Sequence, residues 1–151
     1  MAFKQPKVFL DSNVLLSGLV SDTGAARRIL DLAEVGFIQL VLSNLVIVEV
    51  DHNLQEHGFD DLLPLLRQYL LHLKPLTQPD PAKKEVLKAA KITSLKDAPI
   101  LAAAIEAQAD YLLTFNERHF RTPAVLKQVS FAIMTPAEFL ASLNFFDQEQ
   151  D

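Results

Sequence analysis

The 151-residue sequence contains no cysteine. That excludes structural disulfides, thiolate zinc sites and cysteine nucleophiles outright, and it suits a reducing compartment. No apolar run approaches the ~20 residues that a membrane-spanning helix needs. Met1 to Lys7 lacks the apolar core of a signal peptide. These absences together predict a cytoplasmic protein with no membrane partner. There is no glycine-rich phosphate loop and no G-x-S-x-G elbow. Ser12 follows Asp11 directly, but no histidine is placed to complete a serine triad. His52 and His57 are five apart and do not share a helix face, which argues against zinc. A basic excess is missing too: the formal net charge is −5. A protein that grips nucleic acid mainly by its phosphates is usually basic. The argument against a nuclease is weaker, because an acidic metal site adds negative charge that bound cations neutralise.

Half of the residues are apolar, and the length suits one domain, 1–151, with a normal core. Lys7 to Leu10 is a short apolar run read as a buried strand ending at Asp11. Asp22-Thr23-Gly24 reads as a turn. Ala25 to Val35 is a predicted helix stopped by Gly36, and Phe37 to Leu42 a strand. Ser43 is placed to N-cap a helix over Asn44 to His57, closed by Gly58. Its β-branched run Val46, Ile47, Val48 and Val50 also fits a strand. Further helices are predicted over Asp61 to Leu71, Ala82 to Lys91, Ala98 to Ala109 and Pro136 to Leu143. Strands are predicted at Tyr111 to Thr114 and Ser130 to Met134. The proline-rich segment Lys74 to Pro81 reads as a connection within the domain. Strand and helix alternate, which predicts an α/β fold with a mostly parallel sheet covered on both faces.

Three acids stand out. Asp11 ends a strand, where ligands bind in open parallel sheets. Asp97 opens a helix, where unpaired N–H groups favour a carboxylate. Glu49 interrupts an apolar run, where a charge is costly unless paired or cation-bound. Each has an ordinary reading as well: Asp11 as a turn former, Asp97 as a plain N-cap, Glu49 as part of an exposed stripe with Asn53 and Glu56. Carboxylates without cysteine or a histidine pair select a hard cation, Mg²⁺ or Mn²⁺.

In order along the chain, five blocks resemble the PIN-domain ribonucleases, of the kind found as VapC-like toxins of prokaryotic toxin–antitoxin pairs. They are Val8 to Leu19 around Asp11, Leu42 to Glu49, Asp97 to Ala104, Ala109 to Asn116, and Met134 to Leu140. The resemblance implies a three-layer α/β/α fold, a helical segment around Glu49, and Mg²⁺- or Mn²⁺-dependent hydrolysis of RNA. It implies Asp11, Glu49 and Asp97 as metal residues, Asn116 as a further catalytic position, and Ser12, Asn13 and Thr114 as groups that orient them. Asn116 is a departure, since many relatives carry aspartate there; Glu117 is an alternative, whereas Asp110 precedes its strand and so falls at the opposite end. Arg118 and His119 follow the site loop and read equally as substrate contacts or as ordinary solvated charges. The four lysines Lys83, Lys84, Lys88 and Lys91 read as an exposed helix face before they read as an RNA patch.

A small antitoxin protein and a homodimer are the protein partners the resemblance implies. Apolar residues in Leu62 to Leu73, with Phe145 and Phe146, exceed what one helix face needs; a partner surface and plain core packing both account for them. Two competing functions remain at this stage. A non-catalytic PIN scaffold is favoured by Asn116. A Mg²⁺-dependent phosphatase of the haloacid dehalogenase type is disfavoured, because Asn13 stands where that chemistry needs a second Asp.

Overall fold

The computed structural model describes the backbone over residues 4–148 and side chains over residues 4–143. Phe145 and Phe146 therefore lie outside the described side chains. Five parallel strands form one sheet in the order β3-β2-β1-β4-β5: β1 (Lys7–Leu10), β2 (Gln39–Ser43), β3 (Leu76–Gln78), β4 (Tyr111–Leu113) and β5 (Ala132–Met134). The central strand β1 is buried on both faces at Val8, Phe9 and Leu10, so it reads as a continuous apolar run rather than an alternating one.

Among the described residues nine helices surround the sheet: α1 (Ser12–Val20), α2 (Ala25–Glu34), α3 (Asn44–Glu56), α4 (Leu63–His72), α5 (Lys83–Ala89), α6 (Ala98–Glu106), α7 (Glu117–Phe120), α8 (Pro123–Leu126) and α9 (Pro136–Gln148). Right-handed crossovers put the helices of β1→β2→β3 on one face and those of β3→β4→β5 on the other. The packing follows that rule: α1 lies against α2 and α3, whereas α5 lies against α6. Helix α9 returns to pack on α2, and its Phe139 ring meets Tyr111 edge-on at 5.0 Å. The result is the three-layer α/β/α arrangement. Among the described residues no helix is long and apolar enough to cross a membrane.

Ser43 caps α3 by accepting from the Val46 N–H at 3.2 Å, which resolves that segment as helix despite its β-branched residues. Gly36 and Gly58 follow α2 and α3 with φ of +85° and +77°, the left-handed geometry that ends a helix.

Four elements were not expected: α1, β3 and the one-turn helices α7 and α8. Ser12–Val20 is a helix, although its apolar residues show no helical stripe. It is held from outside: the Arg27 guanidinium donates to the carbonyls of Gly18 and Leu19, and Gly18 lets α2 come so close that a Cβ there would meet Leu30 Cδ1 at 2.9 Å. The proline-rich connection contains β3, which pairs with β2 through Leu76, Thr77 and Gln78. It is an edge strand, and prolines just outside its three residues are tolerated there. On α4 only Leu66 is fully buried; Leu62, Leu63, Leu65, Leu70 and Leu73 are half-buried, and Leu71 is exposed.

Candidate active site

The chain runs from β1 outward to β2 and β3, then returns past β1 to β4 and β5. The reversal falls between β1 and β4, and a crevice opens at such a switch point beyond the carboxyl ends of the strands. Asp11 follows β1 and Thr114 follows β4, so both stand on that crevice. The backbone stitches them together, Asp11 N–H donating to the Leu113 carbonyl at 3.0 Å.

Asp11 is almost fully buried. Its Oδ1 accepts from the Ser12 N–H at 2.8 Å, and its Oδ2 accepts from Thr114 Oγ1 at 2.8 Å. Thr114 Oγ1 in turn accepts from the Asn116 N–H at 2.9 Å. This chain of donors fixes the orientation of the carboxylate. Burial nevertheless pushes the Asp11 carboxyl above its ordinary range; the bonds from Thr114 and Ser12 oppose the rise, and the charges of Asp97 and Glu49 add to it. Asp97 and Glu49 therefore each lie within electrostatic reach of Asp11.

Asp97 stands at the start of α6 but makes no side-chain capping bond. Its Oδ2 faces three groups instead: Ser94 Oγ at 2.6 Å, His119 Nδ1 at 2.7 Å and Asn116 Nδ2 at 3.2 Å. The short contact to a carboxylate assigns the Nδ1 proton to His119. The His119 carbonyl accepts from Thr93 Oγ1 at 2.9 Å, tying α7 to the loop before Asp97. Glu49 lies half-buried on α3 with no hydrogen bond or ion pair among the described residues.

The other expected positions divide. Ser12 contributes its backbone N–H, and Thr114 and Asn116 contribute side chains to the two aspartates. Asn13 is exposed and makes no side-chain hydrogen bond among the described residues. Arg118 and Glu117 are exposed, Glu117 being paired with Arg121. Asp110 is at the opposite edge, accepting from the Lys7 N–H at 2.7 Å. Sequence reasoning missed Ser94. The signal was present, because Ser94-Leu95-Lys96-Asp97 has the spacing of a capping box.

The donors suit a hard cation, since all three acids offer only oxygen. Among the described residues, however, no three His, Asp or Glu groups stand arranged to hold a metal ion.

Comparisons with known proteins bear on this geometry. No curated protein matches the chain by sequence. The fold is similar to a chain in the crystal structure of VapBC2 from Rickettsia felis bound to a DNA fragment from their promoter. The TM-score is 0.64 at 16% identity, over 85% of this chain and 98% of that one. It is also similar to PAE2754 from Pyrobaculum aerophilum, with a TM-score of 0.59 at 18% identity, over 90% and 88% of the two chains. A family model described as PIN domain matches residues 7–118, a span that holds β1, the switch-point crevice and all three acids. By that match, and with the sheet order and acid placement described above, the chain belongs to the PIN domain family.

Proposed function

We propose that the chain is a divalent-metal-dependent ribonuclease, acting in the cytoplasm as the toxin of a type II toxin–antitoxin pair. One observation carries the reading: Asp11 and Asp97, 86 positions apart in sequence (97 − 11), are both buried and are joined through Thr114 and Asn116, with Glu49 within electrostatic reach of Asp11. Confining negative charge in this way is unfavourable unless a cation relieves it. Asp11, Glu49 and Asp97 would hold Mg²⁺ or Mn²⁺. When bound, the metal polarises a phosphoryl oxygen and lowers the pKa of an attacking water.

The chain's own residues prepare that site. Thr114 and Ser12 hold the Asp11 carboxylate by both oxygens, so it does not rotate away. Ser94, His119 and Asn116 fix one oxygen of Asp97 and leave the other without a hydrogen bond among the described residues. The likeness to VapBC2 supports the toxin assignment and a small antitoxin as partner. The half-buried leucines of α4 offer that partner, or a second copy, an apolar surface.

A scaffold that binds without cutting is the second reading. Asn116 favours it, because a neutral amide stands where a fourth carboxylate would strengthen metal binding. One experiment separates the two: incubation of the purified protein with RNA in Mn²⁺, with and without EDTA, beside Asp97→Asn. Cleavage is expected in Mn²⁺ and is expected to vanish with EDTA. Removing a group that merely orients a metal ligand costs about 10–100-fold, so loss of Asp97 itself is expected to exceed a hundredfold. Wild-type-like cleavage by a folded Asp97→Asn protein would refute the site assignment, and absence of any cleavage would favour the scaffold.

A further inference from the structure

The net charge of −5 conceals a local arrangement around the acid crevice. Lys96 and Arg118 are exposed, and among the described residues neither has an acidic partner within ion-pair distance. Arg121, by contrast, is held by Glu117 at 2.7 Å and Glu138 at 2.9 Å. Each free cation is anchored beside a residue that builds the site. Lys96 precedes Asp97. Arg118 precedes His119, whose Nδ1 lies 2.7 Å from Asp97. Successive Cα atoms are about 3.8 Å apart, so these long side chains start within one or two steps of that network.

The same rim carries an unusual aromatic. After the buried run Leu112, Leu113 and Thr114, Phe115 is 48% exposed. It stands between Thr114, which bonds Asp11, and Asn116, which bonds Asp97, and it has no ring partner among the described residues. An aromatic face stacks on any unpaired base, and cations beside it take the backbone phosphates. Phosphate contacts set register without reading sequence.

We propose that Phe115, Lys96 and Arg118 form the strand-holding rim of the site: Phe115 stacks on one unpaired base, and the two cations take the phosphates around it. This rests on the ribonuclease reading, and it assigns substrate-positioning roles to residues that hold no metal. Paired RNA has no free base face to offer Phe115, so the rim selects unpaired strands.

The test measures binding, in calcium ions, of the full chain to a fluorescein-labelled RNA 12-mer without secondary structure, with the oligonucleotide verified intact by gel. For single strands, each phosphate contact adds about 0.7 to the slope of log affinity against log salt. The double variant Lys96→Gln, Arg118→Gln is therefore expected to lose about 1.4 from that slope. A charge-matched control, Lys4→Gln, Lys74→Gln, changes residues that precede strands at the opposite edge and is expected to keep the slope. Phe115→Ala is expected to weaken binding about 5- to 150-fold with the slope unchanged. The chain has no tryptophan, so Phe115→Trp introduces a single indole. Its emission is expected to be quenched by the unpaired strand and not by the same strand in a duplex. Thermal melts check that every variant is folded. Equal slopes for the two double variants would overturn the proposal and leave these cations to an acidic protein segment. Unchanged affinity in Phe115→Ala, or an unquenched indole, would overturn it as well. Absence of RNA binding by the wild-type chain would instead refute the ribonuclease reading beneath it.

Discussion

The two edges of the sheet differ in what they bury. At the carboxyl edge lie all five buried polar or charged side chains among the described residues: Asp11, Ser12, Ser43, Asp97 and Thr114. At the amino edge open two wide clefts, of about 500 Å³ at Gln108 to Asp110 and Gln128 to Phe131, and about 590 Å³ at Lys4, Lys7, Gln39 and Leu76. The larger empty spaces are therefore not where the charged groups are confined. Asp110 shows the contrast at a single residue. It is exposed, and it accepts one backbone N–H, from Lys7. Asp11 is buried and accepts from both a backbone and a side-chain donor, yet its carboxyl still resists ionisation. Volume alone is a poor guide to chemistry; a buried charge that the fold keeps despite its cost is a better one.

Substitutions at the two edges sharpen this contrast. After loss of Asp97 itself, the largest effect is expected from Thr114→Val, which keeps the shape and removes the hydroxyl between Asn116 and Asp11. Metal affinity, measured by calorimetry, is expected to fall about 10–100-fold, and the fold to lose about 1–3 kcal/mol through the unsatisfied buried groups. Asp110→Asn keeps an acceptor for Lys7 and is expected to stay within ~0.5 kcal/mol of wild type with cleavage unchanged. Equal losses at the two positions would erase the distinction.

Asn116→Asp comes next. A new charge about 6 Å from a divalent ion in water-like surroundings contributes about 1.4 kcal/mol, so Mn²⁺ is expected to bind on the order of tenfold more tightly. Without metal the same variant is expected to melt lower, because the Asn116 amide no longer donates to Asp97 and a second carboxylate faces it. Unchanged Mn²⁺ affinity by calorimetry would exclude Asn116 as the position that limits metal binding.

The smallest effect is on stability. The folded chain holds the Asp11 proton more tightly than the unfolded chain does. The stability from this group is thus fully present below its unfolded pKa of about 3.9, and it is lost as pH rises through the folded value. Asp11→Asn is expected to melt above wild type at pH 7 in EDTA, with the difference shrinking toward pH ~4. Adding Mn²⁺ is expected to raise the wild-type melting temperature and not that of the variant. A melting temperature below wild type in EDTA at pH 7 would show that the ionised carboxylate is welcome in the fold even without a cation.

Local signals carried much of the architecture. β1 was legible as an apolar run, and Gly36 and Gly58 as helix stops. α3 was not separable from a strand by its own residues, because β-branched side chains tolerate both; the cap at Ser43 and the packing of Val46, Val50 and Leu54 into the core select the helix. α1 was not legible, because Gly18 and the Arg27 bonds that hold it act through α2. β3 was hidden for a related reason: three residues between prolines form a strand only because β2 lies alongside.

The site divides in the same way. The sequence by itself determined the inventory: three acids, no thiol, and therefore oxygen ligands for a hard cation. It also determined that Asp11 would stand at a strand end, because strand and acid are adjacent. The tertiary structure alone decided which groups meet. Thr114 bonds Asp11 across 103 positions, and His119 bonds Asp97 across 22. Those meetings depend on β4 lying beside β1 rather than beyond β3, and strand order is set by packing of the whole sheet, not by any local pattern. That is why Asp97, legible as a helix cap, turned out to cap nothing and to face Ser94, Asn116 and His119 instead.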